Sequence, residues 1–62
     1  ACRQFTRYRE ACQDAADAYM REGVCLAKMG QVDTARERLT TCEEKATQPA
    51  QKDECRRLRE HL

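Results

Sequence analysis

Five cysteines, Cys2, Cys12, Cys25, Cys42 and Cys55, are the residues of this 62-residue chain best suited to chemistry. Their spacing narrows what that chemistry is. No two stand closer than ten positions, whereas zinc sites and dithiol redox motifs use cysteines two to four residues apart. A thiolate metal site is therefore not expected. Cysteines spread along a short chain read instead as an oxidised framework, the staple of domains too small to bury a sufficient core. An odd number leaves at least one unpaired within the chain. Other reactive groups are scarce: there is no serine to act as a nucleophile and no asparagine to accept an N-glycan. The single histidine, His61, is one residue from the end of the sequence, where fraying disfavours a positioned base. No glycine-rich phosphate loop is present. The expectation is a chain without catalytic residues, metal or cofactor, and not an enzyme.

The elements that must carry these cysteines have little to bury. Of 25 apolar residues nine are alanine, against four leucines, two valines and one phenylalanine, with no isoleucine or tryptophan. A single domain over residues 1–62 is the largest unit such a chain supports. A net charge of +1 on 37% charged residues lacks the basic excess of a nucleic-acid binder. Arg3, Arg7 and Arg9 near the start and Arg56, Arg57 and Arg59 near the finish form local basic clusters, suited to an acidic protein or lipid surface if the two ends meet. No run approaches the roughly 18 apolar residues of a membrane span. A start at Ala1 rather than Met suggests a processed or trimmed product.

Apolar periodicity is helical throughout. From Cys2 to Met29 there is no proline, and the first glycine is Gly23; this predicts one long helix or two abutting ones. Phe5, Tyr8, Cys12, Ala15, Ala16, Tyr19, Gly23 and Leu26 then share one stripe about 100° wide. Cys25 and Met29 lie off it on a second, smaller apolar face, turned to solvent or to an intermolecular contact. Gly30 suits a helix stop, and Thr34 with Glu37, or Asp33, a start. The second helix buries Val32, Ala35, Leu39, Cys42 and Ala46. Pro49 suits the first turn of a third, about 50–62, with Cys55, Leu58 and Leu62 inward and Asp53 paired with Arg57. Nothing alternates with period two. The fold class is all-α: an antiparallel helical hairpin, stapled by disulfides, plus a third helix.

Register picks out one disulfide. In an antiparallel hairpin, residues at equal height are symmetric about the turn. Cys42 and Cys55, Leu39 and Leu58, and Ala35 and Leu62 are each symmetric about the midpoint between Gln48 and Pro49. Cys42 bridged to Cys55 is expected. Cys25 with Cys42 misses the first hairpin's register by five residues, about 7 Å along a helix. Cys2 and Cys12 find no matched partner in this scheme.

Residues 16–49 resemble a tetratricopeptide repeat: Tyr19, Gly23, Leu26, Gly30, Val32, Ala35, Leu39 and Cys42 follow the order of its signature, with Cys42 where alanine is usual and Pro49 about two residues late. That resemblance implies a helical hairpin that binds peptides or proteins on a concave surface. A rival pattern, Cys2 and Cys12 against Cys42 and Cys55, resembles the twin-cysteine helical hairpins of the mitochondrial intermembrane space, with Phe5 and Tyr8 before Cys12 in that family's spacing. It implies bridges Cys2–Cys55 and Cys12–Cys42, although the second pair is too widely spaced and Pro49 interrupts it. Ala1-Cys2 resembles the end of a bacterial lipoprotein signal, with a lipid anchor on Cys2, although processing there would have removed Ala1. The expected function is protein–protein interaction or assembly in an oxidising compartment, whether secreted, periplasmic or intermembrane space, with covalent or non-covalent oligomers open. The alternatives are a secreted effector or toxin-like peptide that presents its arginines, and an intermembrane-space assembly factor.

Overall fold

A computed structural model describes residues 2–62; Ala1, half of the lipoprotein-like signal, lies outside them. The chain forms four helices, α1 (Arg3–Ala11), α2 (Ala16–Lys28), α3 (Val32–Lys45) and α4 (Pro49–Glu60), with no strand among the described residues. The fold is all-α. One more helix is present than the three expected, because the first long segment breaks at residues 12–15. A straight helix from Cys2 to Lys28 would run about 40 Å, beyond the 28 Å long dimension of the molecule, with no partner long enough to cover its stripe. The chain instead leaves helical geometry at Cys12 (φ −123°, ψ 61°) and turns, with Ala15 N–H donating to the Cys12 carbonyl at 2.9 Å. Tyr8 and Cys12, placed on the inward stripe by helical spacing, are exposed.

The α2–α3 turn is built on Gly30. Its φ of +84° is the left-handed conformation that glycine tolerates best. Gln31 N–H donates to Leu26 O at 3.0 Å and Gly30 N–H to Ala27 O at 3.1 Å, the Schellman arrangement that satisfies the last carbonyls of a helix. So tight a turn passes directly into α3. That helix starts at Val32 rather than at an Asp33 or Thr34 cap, and Asp33 sits in its first turn, where a carboxylate suits the helix dipole. Pro49 opens α4 after an extended Gln48, as the residue before proline prefers. Asp53 pairs with Arg56 at 2.9 Å, one helical position short of the expected Arg57.

Small residues bring α2 and α3 together. Ala35 is fully buried and Leu39 is 1% exposed. A Cβ built on Gly23 would stand 2.8 Å from Leu39 Cγ and 3.3 Å from Ala35 O. Below them, Tyr19, Ala16, Ala46 and the bridged Cys42 and Cys55 form the core cluster. The molecule is flat, 28 × 27 × 13 Å. A slab this thin leaves α2 an open side although it packs on α1, α3 and α4.

Two substitutions test this packing. Gly23→Ala should destabilise by up to about 2 kcal/mol, because an overpacking cost of about 1–3 kcal/mol against a confined leucine outweighs the roughly 1 kcal/mol gain in helix propensity. Leu39→Ala should cost about 2–5 kcal/mol through the cavity it opens. Denaturant melts of both variants measure this, and an unchanged or raised midpoint for Gly23→Ala would place the close approach elsewhere.

Candidate functional site

Two open clefts run along the exposed side of α2. One, of about 320 Å³, is lined by Phe5 of α1, by Met20, Val24, Lys28 and their neighbours on α2, and by Glu54 and Leu58 of α4. The other, of about 250 Å³, continues it through Ala27, Leu39, His61 and Leu62. Val24, Lys28 and Leu58 belong to both, so the clefts form one groove with α2 as its floor. The apolar side chains Phe5, Met20, Val24, Ala27, Leu58 and Leu62 are each half-buried: the fold gathers them on one face and covers them with nothing. A further depression, between α3 and α4, is lined by Thr40, Glu43, Glu44, Lys52 and Arg59 and offers only polar side chains.

The walls of the groove are fixed covalently. Cys42 is bonded to Cys55 with a Cα separation of 6.1 Å, and both are fully buried; this bridge holds α4 on α3 at the register that the symmetry about Pro49 requires. Cys2 is bonded to Cys25 with a Cα separation of 5.7 Å, which ties the start of α1 to the last turns of α2. Cys25 is thus part of the internal framework, a correction to its reading as an intermolecular contact. Off-stripe placement assumed a continuous first helix; once α1 folds back, Cys2 and Cys25 are symmetric about the turn between Gln13 and Asp14. The Cys2 sulfur is consumed in this bond and buried, so it has no thiol on which to carry a lipid. Met29, the other expected contact, is 57% exposed, with its sulfur 3.2 Å from Cys2 Sγ. The bridges Cys2–Cys55 and Cys12–Cys42 implied by the twin-cysteine resemblance are absent. Cys12 is the free cysteine and is exposed.

Helix α1 has no fully buried residue of its own, and besides its disulfide it is held by charge. Glu22 of α2 is 2% exposed. Its Oε1 lies 2.6 Å from Arg9 Nε of α1 and 2.6 Å from Arg38 Nε of α3. These contacts are ion pairs by distance, without the alignment of hydrogen bonds. Arg9 also stands 5.8 Å from the Tyr19 ring centre, as does Lys45, within reach of cation–π attraction. Periodicity gave no hint of Glu22; a charged residue between Tyr19 and Gly23 on the packed face was the signal available.

The basic clusters divide. Arg9 is taken by Glu22, Arg56 by Asp53, and Arg59 by Glu43 at 2.7 Å. Arg3, Arg7 and Arg57 are exposed and have no ion-pair partner among the described residues. The two ends do not meet as one patch, since α1 and α4 face each other across the groove and do not pack together. No cluster of three metal-ligating side chains occurs among the described residues, and no helix there is long and apolar enough to cross a membrane. Comparison with protein-family models, curated proteins and solved structures gives no match to this chain.

Two measurements follow. Native protein treated with iodoacetamide should gain one alkyl group, at Cys12, and the reduced, unfolded chain five; more than one on the native protein would contradict the two bridges. Arg9→Ala and Arg38→Ala should each cost about 1–2 kcal/mol, and the double variant more than their sum, because only then is Glu22 left buried with no counter-charge. A double-mutant cycle by chemical denaturation reads this, and strict additivity would mean that the two arginines do not share Glu22.

Proposed function

We propose that this chain is a non-catalytic interaction or assembly subunit of an oxidising compartment, secreted, periplasmic or intermembrane space, and that it works by seating a protein partner in the α2 groove. The observation that carries this reading is the groove itself: six half-buried apolar side chains, five from three helices and Leu62 just after α4, with no partner. In a chain so poor in large apolar residues, leaving them open discards burial worth about 25 cal/mol per Å², and such surface marks binding sites. The resemblance of residues 16–49 to a tetratricopeptide repeat points the same way, toward peptide recognition on a helical surface.

Other features support it. Two intrachain disulfides are the product of oxidising conditions. The buried carboxylate Glu22 is engaged by two arginines, a structural use of charge rather than a catalytic one. The effector reading, which puts the work on the terminal arginines, is less favoured because Arg9, Arg56 and Arg59 already have carboxylate partners.

Site-specific photocross-linking tests the proposal. A benzophenone side chain at Val24, on the groove floor, should give one discrete covalent adduct with a protein in the cell that makes this chain. The same group at Lys52, on the polar flank of α4, should give none. Equal labelling from both positions, or no adduct from Val24, would overturn it.

A further inference from the structure

We propose that the partner seated in the groove is an acidic amphipathic helix, with two apolar anchor side chains one or two turns apart and a carboxylate between them that meets Lys28. This names the occupant of the interaction surface argued above and rests on that reading. Three observations specify it.

First, the shape calls for a helix. The groove is walled by α1 and α4 and floored by α2, and there is no strand among the described residues. It therefore offers no row of backbone donors and acceptors to an extended segment. A partner buried there must satisfy its own backbone hydrogen bonds, and a helix does so while presenting apolar side chains at regular spacing. The floor from Met20 to Lys28 spans about 12 Å at 1.5 Å per residue, room for about two turns.

Second, the groove is two clefts joined by shared residues, not one cavity. Phe5 and Met20 line the first and Ala27 and Leu62 the second, with Val24 and Leu58 between them. Two clefts receive two anchors.

Third, charge selects the sign of the partner. Arg21 and Lys28 line the groove on α2, against Glu54 as the one carboxylate among its lining residues. Arg21 is held by Asp17 at 2.8 Å. Lys28 and Glu54 are both exposed and without an ion-pair partner among the described residues, but Glu54 borders the first cleft alone and Lys28 borders both. A carboxylate between two anchors would fall beside it. The chain does not itself supply this helix: among the described residues its exposed large apolar side chains are Tyr8 on α1 and Met29 at the end of α2, so no helix offers two.

The experiment uses the full, oxidised chain and a fluorescein-labelled 15-residue peptide helix with leucine at positions i and i+4 and glutamate between and flanking them. Its counterparts carry lysine for each glutamate, or alanine for each leucine. By fluorescence anisotropy the acidic peptide should bind at least tenfold more tightly than either counterpart. Lys28→Glu, checked for unchanged helicity by circular dichroism, should reverse the preference between acidic and basic peptides, and Lys52→Glu should leave it unchanged. Equal binding of acidic and basic peptides, or of leucine and alanine peptides, would overturn the proposal. So would a dimer in sedimentation equilibrium that Lys28→Glu or Leu58→Glu abolishes, since a second copy would then be the occupant. If cross-linking from Val24 succeeds and the peptide preference fails, the acidic helix is wrong and the interaction surface stands. If Val24 gives no adduct, both fall.

Discussion

Three of the four helices converge on one carboxylate. Glu22 is almost wholly withdrawn from water, and arginines from α1 and α3 reach the same oxygen of it from either side. A buried charge without a counter-charge is among the costliest defects a small fold can carry, so this pairing constrains where α1 and α3 lie relative to α2. With α1 on one side and α3 on another, the remaining side of α2 is left to the groove. The exposed apolar face follows from how the polar group at the centre is satisfied.

Sulfur does much of what large apolar side chains do in other small domains. The Cys42–Cys55 bridge is itself part of the core cluster, fully buried beside Tyr19, Ala16 and Ala46. It fills space and removes chain entropy, which for a closed loop of this size is worth about 3 kcal/mol. The Cys2–Cys25 bridge anchors the one helix with no fully buried residue of its own. With such staples the chain can keep its half-buried phenylalanine, methionine, valine and leucines at a surface.

Where punctuation exists, the sequence is legible. Gly30 and Pro49 mark both later turns, and symmetry about Pro49 selects the Cys42–Cys55 bridge and sets Leu39 at the height of Leu58. Around Gln13 and Asp14 there is neither glycine nor proline, and the apolar stripe runs through without interruption. The break there is a tertiary decision, taken because α1 gains a disulfide and an ion pair by folding back. From that one concealed turn come the exposure of Cys12 and Tyr8 and the pairing of Cys25. Glu22 was hidden for a different reason: helical periodicity sorts residues by hydropathy, and a carboxylate neutralised from two sides is buried against that rule. The groove was invisible as well, since an apolar residue facing a vacancy has the same spacing as one facing a core.

The two bridges also divide the chain as a thread. Residues 2–25 close into one ring and residues 42–55 into another, so a single backbone cut within either leaves the pieces covalently joined. Between them, residues 26–41 are the only single-stranded link, and they include Lys28, Arg36 and Arg38. A nick there separates two looped halves that only packing can keep together, through contacts such as Gly23 with Leu39 and Glu22 with Arg38. The covalent integrity of the molecule rests on that link, which carries the Gly30 turn and the front of α3.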